Sequence, residues 1–242
     1  MNMITTAVIL AAGLGTRFGK RTKRIPKGFI PVGGKPMVIR SIETLISCGI
    51  TRIIIGTGFG KEAYDALAGK YPGIECCFSP LYAQTNSMYT LYNTRGTIGD
   101  DDFLLLESDI IFNRTAIEEM LSDGHPDIML ITPVTKFQDQ YYVEADEAGY
   151  LTNCSTNKDA IQAQGELVGI HKLSTRFYKM MCDDYAQKAD QLPKLGYEYE
   201  LLHMSRGILP LFVLNSSDTH WYEIDDELDL NYAEKNIVPY LD

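Results

Sequence analysis

The chain has 242 residues, 45% hydrophobic and 22% charged, with a net charge of −10. That length suits one α/β domain, 1–242, with ample core; the acidic balance argues against general nucleic-acid binding, and no apolar run approaches the roughly 20 residues of a bilayer span. Five cysteines (Cys48, Cys76, Cys77, Cys154 and Cys182) without a CxxC pair read as reduced thiols of a cytoplasmic protein. The N-terminus enters its first strand almost at once, with no basic flank or cleavage site of a signal peptide.

Strand and helix patterns alternate along the first half, the mark of a mostly parallel sheet covered on both faces. Thr6 to Leu10 is the first strand. Pro36 to Ile46 reads as a helix with Met37, Ile39, Ile42, Leu45 and Ile46 as its apolar stripe and Gly49 at its end. Arg52 to Ile55 is the second strand, Lys61 to Lys70 the second helix, and Ile74 to Phe78 a third strand. Ser87 is placed to cap a helix running to Arg95. Phe103-Leu104-Leu105-Leu106 is continuously apolar, hence a central strand. Beyond it, Asp127 to Thr135 is a strand, and Tyr141 to Ala145 with Tyr150 to Cys154 form a hairpin around Asp146-Glu147-Ala148-Gly149. Glu166 to His171 (strand), Thr175 to Gln187 (helix), Glu198 to Met204 (helix), Trp221 to Ile224 (strand) and Asp226 to Ala233 (helix) complete the chain. Its end at Pro239-Tyr240-Leu241-Asp242 fits a natural terminus or a boundary with another domain equally well.

Function concentrates where the first strand stops. Val8-Ile9-Leu10-Ala11-Ala12-Gly13-Leu14-Gly15-Thr16-Arg17 ends a strand in a glycine-rich turn, which leaves backbone N–H groups free to cradle phosphate oxygens. Arg17 adds a planar cation able to grip phosphate through two parallel hydrogen bonds, and Lys27 supplies a second. Residues 1–42 hold eight basic residues (Arg17, Lys20, Arg21, Lys23, Arg24, Lys27, Lys35 and Arg40) and no acid, so the remainder carries −18. A protein of this balance that gathers cations around one loop is built for a small polyanion, and the stretch reads as a nucleoside triphosphate site. A dinucleotide fingerprint needs a third glycine where Phe18 stands and a ribose-binding acid about 20 residues on, which speaks against a Rossmann oxidoreductase; a P-loop needs Gly-Lys-Ser/Thr. Gly56-Thr57-Gly58-Phe59-Gly60-Lys61 is read as a structural turn.

Leu10 to Arg17, followed by Pro26-Lys27 and Gly34-Lys35-Pro36-Met37, resembles the sugar-nucleotidyltransferase superfamily. The resemblance implies a Rossmann-like nucleotidyltransferase fold carrying a small β-hairpin insertion. Leu10, Ala11, Ala12, Gly13, Gly15 and Thr16 then hold the nucleotide, and Arg17 and Lys27 act on its phosphates. Gly28 departs from the bulkier or small apolar residue common there, a change expected to loosen the turn. Asp109, in Glu107-Ser108-Asp109 at the carboxyl end of the most apolar strand, faces the crevice where ligands of open parallel sheets sit; beside a triphosphate loop it reads as a Mg²⁺ ligand. By the same resemblance Asp225, in Trp221-Tyr222-Glu223-Ile224-Asp225-Asp226, completes the metal site, with Asp226 capping the last helix.

Tyr82 to Tyr92 is similar to a segment of the phosphocholine and 2-aminoethylphosphonate cytidylyltransferases. Asn86 and Ser87 open a helix toward the base and phosphates, and Gln84 and Ser87 are suited to the edge of cytosine. Gln140, Tyr141, Glu198 and Glu200 form the candidate acceptor pocket, within the acceptor-binding part at about 127–210. A quaternary ammonium needs an aromatic box, whereas carboxylates suit a primary ammonium with three donors. His125, His171, His203 and His220 lack metal-ligand spacing and read as structural. The expectation is a Mg²⁺-dependent cytidylyltransferase joining CMP from CTP to 2-aminoethylphosphonate, with phosphocholine and then a sugar 1-phosphate as alternative acceptors. A nucleotide-binding regulatory module is the rival from another class.

Overall fold

Alternation along the first strand sets up two cores at once. Val8 and Leu10 face one side of the sheet and Ala7, Ile9 and Ala11 the other, and all five are buried; side chains two apart share a face of a strand. The computed structural model describes residues 3–18, 25–135 and 140–241. In chain order the elements are β1 (Thr6–Ala11), β2 (Pro31–Val32), β3 (Lys35–Pro36), α1 (Met37–Ser47), β4 (Arg52–Thr57), α2 (Lys61–Ala68), β5 (Ile74–Phe78), α3 (Ser87–Asn93), α4 (Arg95–Ile98) and β6 (Phe103–Glu107). They continue with β7 (Ile110–Phe112), α5 (Thr115–Ser122), β8 (Ile128–Thr132), β9 (Tyr142–Ala145), β10 (Leu151–Ser155), β11 (Gly165–Leu173), α6 (Thr175–Lys188), α7 (Tyr197–Gly207), β12 (Phe212–Asn215), β13 (Trp221–Glu223) and α8 (Glu227–Asn236).

Central strands β6, β1, β4 and β5 lie side by side and parallel, as the βα alternation predicts. On the far side of β6 the long strand β11 runs antiparallel and carries the β9–β10 hairpin and β8. The expected hairpin therefore extends the main sheet instead of standing apart. Helices α1, α2 and α5 cover one face through Val38, Ile42, Leu45, Tyr64, Leu67, Ile117 and Met120. On the other face α3, α6 and α7 pack through Met88, Leu91, Phe177, Met181, Leu201 and Met204. Phe103, Leu104, Leu105 and Leu106 are fully buried, which accounts for a strand without polar alternation. Among the described residues no helix is long and apolar enough to cross a membrane.

Among the elements that lie where the sequence reading places none are β7, α5 and β12. Each is short, from three to eight residues, below the length at which periodicity identifies an element. The cap of α3 also differs. Asn86, not Ser87, is the N-cap, its Oδ1 accepting from the Ser87 N–H at 2.9 Å. A third apolar cluster (Phe18, Ile30, Val32, Met37, Ile111, Tyr222, Ile224, Leu230 and Ala233) ties the end of the glycine loop to β7, β13 and α8. Strand β13 pairs with β7, and the Ile224 N–H donates to the Asp109 carbonyl at 3.0 Å. That small ribbon carries the late acidic segment to the end of β6.

Candidate active site

Parallel register places the end of β1 beside the end of β6, with Leu10 opposite Glu107 and the Ser108 N–H donating to the Leu10 carbonyl at 3.2 Å. The chain then leaves β1 through Ala12 and Gly13 to Gly15, whose φ of +60° belongs to the left-handed region that glycine tolerates. Buried Phe18 anchors the turn from below, so Arg17 is turned outward with its side chain 58% exposed. A cleft of about 480 Å³ opens here, lined by Leu10 to Arg17, Lys27, Glu107, Ser108, Asp109, Glu223 and Asp225. The lining also includes Tyr82, Asn86, Ser87, Tyr141, Lys194, Tyr197 and Glu198.

Lys27 and Arg17 meet the predicted carboxylates directly. The Lys27 ammonium donates to Asp109 Oδ2 at 2.6 Å and Asp225 Oδ1 at 2.5 Å, and Arg17 Nη1 lies 2.9 Å from Asp225 Oδ2. Burial works against the Lys27 charge, but Asp109, Asp225 and Glu223 outweigh it and push its pKa above the ordinary lysine value. Asp226 caps α8, accepting from the Leu228 and Asp229 N–H groups, as its place in the sequence predicts. Lys20, Arg21, Lys23 and Arg24, counted among the loop cations, lie outside the described residues.

Two further acids stand in this cluster, and the sequence reading passed over both. Oxygens of Glu107, Asp109 and Glu223 lie within 4.8 Å of one another. Their signal is a spacing of two, Glu107 with Asp109 and Glu223 with Asp225, each pair beginning at the last residue of a strand. Burial first, then Asp109, Glu223 and Glu198, raise the Glu107 carboxyl well above the ordinary range. Gln140 belongs to this group as well, since its Nε2 donates to Glu223 Oε2 at 3.2 Å and it does not line the cleft.

The remaining predicted residues divide. Asn86 and Ser87 line the cleft; Asn86 caps α3, and the Ser87 hydroxyl accepts from the Tyr197 N–H at 3.0 Å. Gln84 lies in the turn before α3 and is not part of the lining. Tyr141 and Glu198 face the cleft together. Burial pushes the Glu198 carboxyl up to about 7, and its Oε2 has no hydrogen-bond partner among the described residues. Glu200, by contrast, turns away. Its carboxylate lies 2.8 Å from Lys188 of α6, and burial raises its pKa to about 7. Two residues apart on a helix means about 200° around its axis, so Glu198 and Glu200 occupy opposite faces. Lys194 is a cleft cation the sequence reading missed, fastened by Asn86 Nδ2 donating to its carbonyl and by its own Nζ donating to the Thr85 carbonyl, each at 3.2 Å. Trp221 is buried, its Nε1 donating to Thr132 Oγ1 at 2.7 Å, and takes no part in the lining.

Gly28 is not loose. A Cβ there would lie 3.0 Å from Tyr64 Oη, 3.2 Å from the Ser108 carbonyl and 3.4 Å from Val38 Cβ. The Tyr64 ring occupies the space a larger residue would need. Gly28→Ala is therefore expected to destabilise the fold by about 1–3 kcal/mol through overpacking, with Tyr64→Phe in the same chain restoring part of it. Urea melts of the three variants check this; an unchanged midpoint for Gly28→Ala would show that Tyr64 yields freely.

Comparison with known proteins agrees with this geometry. Residues 7–148 match the model of the MobA-like NTP transferase domain. The chain is 28% identical over 244 residues to CMP-5'-(3-aminopropyl)phosphonate synthase of Streptomyces rubellomurinus, covering 96% of this chain and 39% of that protein. It is 32% identical over 109 residues to 2-aminoethylphosphonate cytidylyltransferase of Lancefieldella rimae, covering 45% of this chain and 44% of that one. The matched region thus spans less than half the length of either relative. The fold is shared with the crystallised CTP:phosphocholine cytidylyltransferase of Streptococcus pneumoniae, at a TM-score of 0.80 and 22% identity over 96% of this chain and 99% of that one. The family match takes in more than half of the chain, from β1 through β9, and the protein belongs to the MobA-like NTP transferase domain family of nucleotidyltransferases.

Proposed function

We propose that this chain is a cytidylyltransferase that joins CMP from CTP to a small ω-aminoalkylphosphonate, 2-aminoethylphosphonate being the expected acceptor, with release of pyrophosphate. The observation that carries the reading is one cleft that holds both kinds of group. Arg17, Lys27 and the glycine loop line it together with Tyr141 and Glu198, the latter buried and with an oxygen unpartnered among the described residues. A carboxylate so placed suits an ammonium with hydrogen atoms to donate. Relatives named for 3-aminopropyl- and 2-aminoethylphosphonate support the same class.

In this reading an anionic phosphonate oxygen attacks the α-phosphorus of CTP. A P–O bond forms there as the bond to the β-phosphate oxygen breaks, and the electron pair leaves with pyrophosphate. The phosphonate is already ionised, so no side chain has to remove a proton. The protein's work is positioning and charge stabilisation. Arg17 and Lys27 present positive charge to the triphosphate, Asp225 and Asp109 hold both cations in place, and Asn86 and Ser87 border the cytosine side. A divalent cation fits the donor set, because the clustered carboxylates of Glu107, Asp109 and Glu223 offer only oxygen, the donor that Mg²⁺ prefers. Asp109 and Asp225, with Glu107 and Glu223 beside them, would hold Mg²⁺, which would supply charge neutralisation at the reacting phosphates. A cytoplasmic location accompanies this reading, supported by five free thiols.

Tyr82, Tyr141 and Tyr197 in the cleft lining favour a second reading, in which aromatic faces receive the trimethylammonium of phosphocholine. Pyrophosphate release from CTP and Mg²⁺ with each acceptor decides between them. We expect 2-aminoethylphosphonate to be preferred at least tenfold in kcat/KM; a preference for phosphocholine would assign the pocket to the tyrosines, and silence with both would direct attention to UTP and sugar 1-phosphates.

A further inference from the structure

His171 is the one histidine of this chain sealed in the centre of the sheet, between β6 and β8, at 0% exposure. Its Nε2 lies 3.3 Å from Tyr197 Oη, and that hydroxyl lies 2.7 Å from Glu107 Oε1. The direction of these bonds follows from counting protons. The Tyr197 hydroxyl donates to Glu107 Oε1, and a tyrosine hydroxyl donates only once. The imidazole is then left to donate from Nε2, which makes Nδ1 the bare nitrogen. Nδ1 is buried without a hydrogen-bond partner among the described residues. A buried lone pair is the cheaper group to leave unmet than a buried N–H, so both ends of the ring agree on one tautomer.

The second oxygen of Glu107 lies against the same strand. Gly169 lies two residues before His171, where the β11–β8 register shifts between Leu167 and His171, and has φ of +79°. A Cβ on Gly169 would lie 2.9 Å from Glu107 Oε2. The bulge thus brings bare backbone against one carboxylate oxygen, while the His171–Tyr197 pair fixes the other. Bulges commonly serve to re-aim groups beside active sites. The Tyr197 N–H donates to Ser87 Oγ, so the same residue also ties the array to the first turn of α3.

We infer that His171 and Tyr197 are positioning residues, through which β11 orients Glu107 as one arm of the divalent-cation cluster. The inference rests on the metal reading proposed above and is independent of which acceptor is used. Its test is Mn²⁺ binding to the nucleotide-free protein, followed by the electron paramagnetic resonance signal of the free ion, in Tyr197→Phe, His171→Leu and His171→Gln. Tyr197→Phe and His171→Leu are expected to weaken Mn²⁺ binding about tenfold or more, the range for groups that orient metal ligands. His171→Gln keeps a side-chain N–H donor and is expected to stay within about threefold of wild type. In turnover, Tyr197→Phe should lower kcat with the KM for CTP within about twofold.

Tyr197→Phe with unchanged Mn²⁺ affinity and kcat overturns the inference, as do equal affinities for the Leu and Gln variants at position 171, or a wild type that does not bind Mn²⁺. If His171→Leu fails to fold, Tyr197→Phe alone carries the test, since it removes a single oxygen. A wild type that binds Mn²⁺, loses it in Tyr197→Phe, and yet releases no pyrophosphate with either acceptor would sink the proposed reaction and leave this inference standing.

Discussion

Lys27→Ala is expected to reduce kcat by roughly 10²–10³-fold, the cost of removing one fixed charge-stabilising donor, about 3–4 kcal/mol. The side chain is only 12% exposed and bridges Asp109 and Asp225, so two effects are predicted from one change. Catalysis loses the cation that meets the triphosphate. Folding loses the charge that separates two carboxylates, and breaking an ion pair this enclosed costs about 3 kcal/mol. Lys27→Arg separates the two effects: it keeps the charge but spreads it over a planar fork that cannot occupy the same point between the acids. It should recover most of the stability and little of the rate. Pyrophosphate-release kinetics beside urea melts of the same preparations measure both quantities. A Lys27→Ala enzyme with near-normal kcat would remove Lys27 from the mechanism.

Glu198→Gln carries the second large effect, and on a different parameter. A carboxylate bound to an ammonium is worth about 1.5–3 kcal/mol as a charge-assisted hydrogen bond. The KM for 2-aminoethylphosphonate should therefore rise roughly 10- to 100-fold, with the KM for CTP within about twofold of wild type. Because Gln is isosteric with Glu and the native carboxyl is pushed up to about 7 by burial, a neutral side chain here should not weaken the fold. The sign of the pH effect follows from the same burial. The native state holds this proton more tightly than the unfolded chain does, so Glu198 costs stability as pH rises from about 4.5 toward 7, and Glu198→Gln removes that slope. Unchanged acceptor KM in Glu198→Gln would place the ammonium elsewhere, and a matching loss with phosphocholine would mean that Glu198 serves both cations.

Much of the nucleotide side was legible because it is local. A strand ending in Gly13-Leu14-Gly15, an arginine two residues on, and Pro26-Lys27 lie within 20 residues of each other, and their chemistry depends on backbone geometry that the residues themselves impose. Asp109 was legible because a carboxylate after four apolar strand residues has one place to go in a parallel sheet. Glu107 and Glu223 carried a readable signal, the spacing of two, which the attention to single acids at each strand end overlooked. Of the four residues assigned to the acceptor, Tyr141 and Glu198 line the cleft, whereas Gln140 and Glu200 do not. Glu198 and Glu200 look equivalent as charges in a sequence, yet the helical period puts one in the cleft and the other on Lys188.

What the sequence by itself determined, then, is the parallel βα framework and the place of the glycine-rich loop at the end of β1, because hydrophobic period and glycine turns act over neighbouring residues. The tertiary structure alone decided that a two-stranded ribbon carries Glu223 and Asp225 to the end of β6, that Tyr64 fills the space beside Gly28, and that His171 reaches Glu107 through Tyr197. Those contacts join residues 26 or more positions apart. Pairings over such distances are set by how whole elements pack and by sheet register, quantities that no local pattern in the chain encodes.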